Sequence, residues 1–200
     1  MKCLYCGQLI GKQTLRSVLL KSDSLCPECR KGLKVQRKMI DLGEFKAESF
    51  FDYDSLFRSI LLQYKECHDE ALKDVFLYDL SDYIDLRYHG YGLLFVPSSE
   101  KKRKERGFDH LEGIFSSLHL KKIDGLRMKE ELCQEGKDMK ERGKMMNNYI
   151  YEGGYHDKIL IVDDMITTGS SLRGVYHSVC PYVKNIKVLS LAYKNNALHY

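Results

Sequence analysis

The sequence has no apolar run that approaches the length of a membrane span, and its start, MKCLYCG, has no apolar segment behind the lysine. These absences argue against membrane insertion and against a secretory signal, so we expect a cytoplasmic protein with reduced thiols. It also has neither an internal repeat nor a low-complexity tract. With 30% charged and 44% hydrophobic residues among 200, the composition is that of a globular chain, enough for one α/β domain with a small appendage.

Basic residues are clumped rather than spread. The net charge is only +4, but KKRKER fills 101–106 and a second Lys/Arg-rich stretch covers 30–38. Such runs suit a solvated surface, and they also suit a polyphosphate or a nucleic-acid backbone.

Four of the seven cysteines form a pattern, CLYC, nineteen residues, then CPEC. Two residues between thiols let both sulfurs of a tight turn reach one ion, and two such turns supply the four thiolates that zinc favours. Because no coordination position is left open, the ion is expected to be structural, as Zn²⁺ that folds a small ribbon. Four free thiols or two redox pairs are the alternatives. The ligands are Cys3, Cys6, Cys26 and Cys29.

Hydrophobic periodicity predicts the elements of a larger domain after a basic linker. We expect a zinc ribbon and linker over 1–38 and the main domain over 45–200. Apolar spacing predicts two amphipathic helices between 50 and 84. YGLLFVP reads as a strand that ends at Pro97, followed by an exposed loop, and further helices are expected at Asp109–Leu120 and Gly169–Val179. Lys129–Asn148 reads as a long mobile loop. KILIVDD and NIKVLSLAY read as strands, so alternating strands and helices predict a parallel sheet covered on both faces.

The stretch ILIVDDMITTGSS carries the clearest chemistry. Its aliphatic residues form a strand, and ligands of open parallel sheets lie beyond the carboxyl ends of strands, where Asp163 and Asp164 stand. Gly169 lets the backbone approach an anion, and the start of the next helix offers free N–H groups. Hydroxyls come from Thr167, Thr168, Ser170 and Ser171. The loop therefore suits a monophosphate, and the two acids suit the vicinal hydroxyls of a ribose or a magnesium ion alongside.

This stretch resembles the phosphoribosyl pyrophosphate motif of type I phosphoribosyltransferases. Together with the four-cysteine ribbon, YKECHD at 64–69 and VPSSEKKRKERGFDH at 96–110, it resembles the ComF family of competence-associated, phosphoribosyltransferase-like proteins. The family patterns are close to YKxxGD and RGFNQ. His68 therefore replaces a glycine, and Asp109 and His110 replace Asn and Gln.

The resemblance implies a type I phosphoribosyltransferase-like α/β fold after the ribbon, and it implies further site residues. Residues 96–104 would be the pyrophosphate loop, with Ser98, Ser99 and Lys102 meeting the diphosphate. Arg106 and Arg142 would be the catalytic cations, Arg142 acting from a loop that closes over the ligand. A surface salt bridge is the alternative for either arginine.

Two functions of different class follow. As a binding module, the chain would use the pocket for phosphoribosyl pyrophosphate or a nucleotide while it contributes to single-stranded DNA import beside a helicase-type ATPase, partners that the family's association implies. As an enzyme, it would transfer ribose 5-phosphate to a nitrogen acceptor with Mg²⁺. The family's association favours the first.

Overall fold

A computed structural model describes residues 1–10, 23–129 and 148–194 of the chain. Within them, a six-stranded sheet has the order β1-β2-β8-β7-β3-β4, and β5 pairs with β6 in a separate two-stranded sheet. The β1–β2 pair is antiparallel, whereas the other neighbours in the large sheet are parallel. The strands are β1 Lys38–Asp41, β2 Lys46–Asp52, β3 Gly92–Phe95, β4 Lys121–Lys122, β5 Leu126–Met128, β6 Tyr149–Tyr151, β7 His156–Ile166 and β8 Val183–Tyr193.

Six α-helices accompany the strands in the described ranges: α1 Pro27–Gly32, α2 Ser55–Glu66, α3 Ser81–Arg87, α4 Glu100–Arg106, α5 His110–Phe115 and α6 Ser170–Val179. Short 3₁₀ helices occupy Glu70–Val75 and Cys180–Tyr182. Four consecutive residues of β7, Ile159 to Val162, are fully buried. Because successive strand residues point to opposite faces, both faces of the sheet are covered there. The predicted α/β class with a mainly parallel sheet is confirmed.

Helix α2 shows why the first helix could be predicted. Asp54 caps it by accepting from the N–H of Phe57 at 2.8 Å, and its buried face is an apolar stripe at helical spacing. The second helix predicted in this region is partly wrong. Its apolar residues, Leu72, Val75, Phe76 and Leu80, are buried, but they lie on the 3₁₀ helix and turns before α3. Apolar spacing of three and four residues fits either geometry.

The segment after Pro97 is not the loop that its charges indicated. Residues Glu100–Arg106 form helix α4, which ends at Gly107 in the left-handed region with φ 76°. High charge forbids burial of the helix but does not oppose its formation, since Lys, Arg and Glu are good helix formers. The helix predicted at 109–120 is shorter, ending at Phe115. Most of the predicted mobile loop, 130–147, lies outside the described residues.

Strands β1 and β2 were missed from the sequence. Strand β2 is almost wholly buried although it contains Glu48, whose side chain is 1% exposed. Four side chains donate hydrogen bonds to this carboxylate: Arg37, Tyr83, Arg87 and Tyr88. The strand could not be predicted because Glu48 interrupts a short apolar run, and the partners that make burial of Glu48 tolerable come from distant positions in the sequence.

The cysteine-bearing segments pack against the sheet domain. Arg30 donates to the carbonyl oxygen of Val75 at 2.9 Å, and Gln63 of α2 donates to that of Leu4 at 3.4 Å. The sheet itself begins at Lys38; the predicted domain ranges 1–38 and 45–200 stay a prediction. In the described part of the chain, no helix combines the length and apolar character needed to cross a membrane.

Candidate functional site

The acidic pair lies where β7 approaches its carboxyl end, between its parallel neighbours β3 and β8. Asp164 is buried at 8% exposure, and Asp163 is half-buried. The backbone N–H of Asp164 donates to the Asp163 carboxylate at 2.9 Å. The location agrees with the edge at which ligands of open parallel sheets bind.

Two cationic or polar groups hold the Asp164 carboxylate. Lys65 of α2 donates to its Oδ2 and forms an ion pair with it. Nε2 of His110 lies 3.2 Å from the same oxygen, within ion-pair range but without the alignment of a full hydrogen bond. Burial raises the pKa of Asp164, but the His110 contact and the charge of Lys65 outweigh burial and hold the pKa well below its usual range.

Asp163 behaves in the opposite way. Burial, and then the charge of neighbouring Asp164, raise the pKa of Asp163 well above its usual range. The two acids are therefore not equivalent: Asp164 is the permanent acceptor, and Asp163 holds a proton to higher pH than an ordinary aspartate. Such a pair can both accept from and donate to neighbouring hydroxyls.

The loop after β7 has the small, polar character that the sequence indicated. Thr167 and Thr168 are exposed, and the hydroxyls of Thr168 and Ser170 lie 2.8 Å apart. Arg173 ties the loop down by donating to the carbonyl oxygens of Thr168 at 2.8 Å and Leu42 at 3.2 Å. The loop leads directly into α6, whose first N–H groups have no partner within the helix.

The backbone conformation and the packing at position 169 require glycine, even apart from the close approach of a phosphate. Its φ is 74°, and a Cβ there would lie 2.8 Å from Cδ2 of Leu42. A side chain would therefore strain the backbone and collide with Leu42 on the buried side.

The predicted pyrophosphate segment meets this site through His110. Ser98 Oγ and Nη1 of Arg106 lie 3.5 Å and 3.4 Å from Nδ1 of His110. Ser99 instead caps α4 by accepting from the N–H of Lys102 at 3.5 Å, and the Lys102 side chain is exposed.

Arg106 completes a ring of contacts around the site. Its side chain is 8% exposed, and Nη2 donates to Glu66 at 3.0 Å. Glu66 follows Lys65 in α2, so the ring runs from Lys65 through Asp164, His110 and Arg106 back to Glu66. We name these five residues the polar ring.

The structure thus brings together Asp163, Asp164, Ser98 and Arg106, with the 167–171 loop directly behind the acids. Arg142 lies outside the described residues. Sequence reasoning did not assign Lys65, Glu66 or His110 to the site, although YKECHD and RGFDH contain them. Nor did it find Tyr149 of β6: burial raises the pKa of Tyr149, and its hydrogen bond with Ser171 opposes that rise. The roles assigned to all these residues stay predictions.

The four patterned cysteines form a second candidate site. Their Sγ atoms all lie within 4.8 Å of one another, and among the described residues they are the one group of this kind suited to a metal ion. Gly7, directly after Cys6, has φ 74° and closes the first turn. Burial opposes ionisation of Cys3, but hydrogen bonds from the backbone at Cys6, Cys26 and Tyr5 lower its pKa to about 6. The four cysteines, Cys3, Cys6, Cys26 and Cys29, have the arrangement to hold a zinc ion.

A separate open cleft of about 500 Å³ is lined by residues at the amino-terminal ends of β3, β4 and β7, among them His89, His119 and His156. It contains none of the predicted site residues.

No family model matches the chain. The chain is 28% identical, over 203 aligned positions that cover 88% of it, to the competence protein ComFC of Streptococcus pneumoniae, of which 91% is covered. Among solved structures, it is similar to a hypoxanthine phosphoribosyltransferase of Staphylococcus aureus, with 15% identity and a TM-score of 0.38. That match covers 64% of this chain and 66%, just under two thirds, of the other. The near-full-length similarity to ComFC, with the cysteine cluster and the acidic pair at the end of β7, supports a ComF-family, phosphoribosyltransferase-like protein.

Proposed function

We propose that the chain binds a ribose 5-phosphate group, carried by phosphoribosyl pyrophosphate or by a nucleotide. The observation that carries this proposal is the unequal acid pair at the end of β7, directly followed by the 167–171 loop and α6. Asp164 would accept hydrogen bonds from a ribose hydroxyl, and Asp163 would bind the adjacent hydroxyl as donor or acceptor.

The phosphate would lie against the loop. Gly169 is fixed in the left-handed region, and Thr167, Thr168, Ser170 and Ser171 supply hydroxyls beside the first turn of α6. With ten residues, α6 is long enough for its amino-terminal dipole to favour an anion.

The diphosphate of phosphoribosyl pyrophosphate would meet the segment from Ser98 to Arg106. Lys102 is exposed and free to reorient, whereas Arg106 is already paired with Glu66. Arg106 would therefore act on a diphosphate after exchanging one carboxylate partner for a phosphate. In this proposal Arg106 orients the diphosphate before it takes any part in catalysis.

Magnesium would enter the site bound to the ligand rather than be held there by the protein alone. Oδ2 of Asp164 is engaged by Lys65, and Mg²⁺ is usually held by one or two carboxylates together with the phosphates of a substrate. A magnesium ion bound to the diphosphate would neutralise its charge. Zinc, at the four cysteines, would hold the ribbon together.

The similarity to a competence protein supports a role in natural transformation for this ligand-binding module. In that role the chain would contribute to single-stranded DNA import beside a helicase-type ATPase, with the pocket sensing a nucleotide or sugar phosphate. Active transfer of ribose 5-phosphate to a nitrogen acceptor is the alternative function.

One experiment addresses both functions. The chain is titrated calorimetrically with ribose 5-phosphate and with phosphoribosyl pyrophosphate plus Mg²⁺, and pyrophosphate release is then followed with a panel of bases, amines and short oligonucleotides. Binding without release supports the module, and release with one acceptor supports the enzyme. Absence of binding to either sugar phosphate contradicts both.

A further inference from the structure

We propose that His110 is a positioning residue for this ligand. Its imidazole connects Arg106, on the diphosphate side, with the carboxylate of Asp164, on the ribose side. The two halves of the site are then oriented together rather than independently. The inference rests on the proposed function and assigns a part in it to His110, which stands where the family pattern has glutamine.

The first support is the surroundings of Nδ1. Nη1 of Arg106 lies 3.4 Å from this nitrogen, and Ser98 Oγ lies 3.5 Å away. An arginine can only donate hydrogen bonds, so Nδ1 must accept. The imidazole proton is consequently on Nε2, which faces Asp164.

The second support is the state of Nε2. This atom is buried, lies 3.2 Å from Oδ2 of Asp164 and has no aligned hydrogen-bond partner among the described residues. Lys65 already donates to the same oxygen. A buried donor in this state is costly, and a small rotation of the Asp164 carboxylate relieves it. A ribose hydroxyl that binds Asp164 would impose such a rotation.

The third support is the rigidity of the imidazole. His110 is 4% exposed, and the hydroxyl of Tyr64 donates to its backbone carbonyl at 3.0 Å. Asp109 caps the same helix by accepting from the N–H of Leu111 at 3.0 Å. A residue fixed in this way can hold Arg106 and Asp164 in one relative orientation.

The surrounding charges make His110 more than a core histidine. Glu66 holds the far side of Arg106 at 3.0 Å, and Lys65 holds Asp164. His110 therefore closes the polar ring between two charged residues on different elements. Replacing His110 with an apolar residue would leave the fold intact, but Arg106 and Asp164 would no longer be aligned with each other.

The test compares His110→Gln with His110→Leu. Glutamine, the residue at this place in the family pattern, has an oxygen that accepts from Arg106 and an amide that donates to Asp164, whereas leucine has neither. In calorimetric titrations, His110→Gln is expected to bind ribose 5-phosphate within about threefold of the wild type. His110→Leu is expected to bind it about tenfold to a hundredfold more weakly, the scale of one hydrogen bond to a charged group. His119→Leu is the matched control, because His119 is exposed and pairs with Asp85 away from the site.

A second measurement does not depend on a variant that folds. Long-range ¹H–¹⁵N spectra of the wild-type chain should show the His110 proton on Nε2, and this signal should shift on addition of ribose 5-phosphate. A proton on Nδ1 overturns the proposal. So does unchanged affinity in His110→Leu, or an equal loss in His110→Gln and His110→Leu when both are folded. If the wild-type chain binds neither sugar phosphate, both the proposed function and this inference are wrong. If the wild type binds and His110→Leu binds with the same affinity, only this inference is wrong.

Discussion

Lys65 and Asp164 form an ion pair across 99 positions of sequence, joining α2 to the end of β7. Both side chains are mostly buried, at 17% and 11% exposure. The pair therefore sets the charge of the candidate site and also fixes α2 against the sheet. Substitutions at either residue are expected to affect both ligand binding and the stability of the fold.

Gly169→Ala is expected to destabilise the chain because its φ of 74° strains the backbone and because the new Cβ meets Leu42 at 2.8 Å. Gly154→Ala is the matched control, since Gly154 has φ 80° with nothing within 4 Å of the Cβ position. We expect a loss of about 1 kcal/mol for the control and about 2–4 kcal/mol for Gly169→Ala, from denaturant unfolding.

The collision can be tested separately from the strain. Adding Leu42→Ala should recover part of the loss in Gly169→Ala, but none of that in Gly154→Ala. Equal losses in the two glycine variants would show that Leu42 moves aside freely.

The long periodic elements and the acidic motif could be predicted because their signals are local. Helix α2 has an apolar stripe and a capping Asp54, and β7 has an uninterrupted aliphatic run before Asp163. The polar ring could not, because each of its contacts joins residues that are distant in sequence. Lys65 lies in a helical pattern like many surface lysines, and only the folded chain places it on Asp164.

Replacements within the family motifs also have reasons that appear only in the fold. His68 stands where the family has glycine and adopts φ 56°, a left-handed conformation that glycine takes without cost. Asp109 stands where the family has asparagine, and both residue types cap helices well. Asp109 therefore keeps the capping role of asparagine, whereas His68 holds a backbone conformation that glycine would adopt at lower cost.

Glu48→Gln tests whether the buried carboxylate of β2 stabilises the fold through its charge. Burial raises the pKa of Glu48, but hydrogen bonds from Tyr88, Tyr83 and Arg37 outweigh it, so the pKa is lowered. A lowered folded-state pKa gives stability that is present above the unfolded pKa of about 4.3 and is lost as the pH falls through the folded value. We expect Glu48→Gln to lose about 1–3 kcal/mol at pH 7 by denaturant unfolding.

The difference between wild type and Glu48→Gln should shrink below about pH 4, where the wild-type carboxylate also gains its proton. Glu152→Gln is the control, because Glu152 is exposed and pairs with Arg127 on the surface. A gap that stays constant from pH 7 to pH 3 would contradict an electrostatic role for Glu48.

Cys29→Ser is expected to remove zinc and to unfold the amino-terminal ribbon, since all four thiolates are needed for a closed shell. Cys67→Ser is the control, because Cys67 is exposed and outside the cluster. Metal analysis should give one zinc per chain for the wild type and the control, and a chelator should lower their melting temperatures. A full-length wild-type chain that is ordered and free of metal would contradict the zinc ribbon.

The two aspartates should respond differently to amidation, although they are neighbours. Asp163→Asn leaves the ion pair between Lys65 and Asp164 intact, so it is expected to leave the free energy of unfolding nearly unchanged. Asp164→Asn leaves the ammonium of Lys65 buried without its partner, which costs about 3–5 kcal/mol in comparable sites. Adding Lys65→Met to Asp164→Asn should therefore restore part of the stability.

Measurements of ligand affinity distinguish a role of the two aspartates in binding from a role in stability. If both acids bind ribose hydroxyls, Asp163→Asn should weaken ribose 5-phosphate binding by about tenfold to a hundredfold while the fold stays intact. The double variant Lys65→Met/Asp164→Asn should be folded and should bind as weakly, since it has regained stability but not the carboxylate. Calorimetric titration alongside denaturant unfolding yields both quantities for each variant. Full affinity in Asp163→Asn and in the double variant would mean that the acids serve only to join β7 to α2, and the candidate site would have to lie elsewhere.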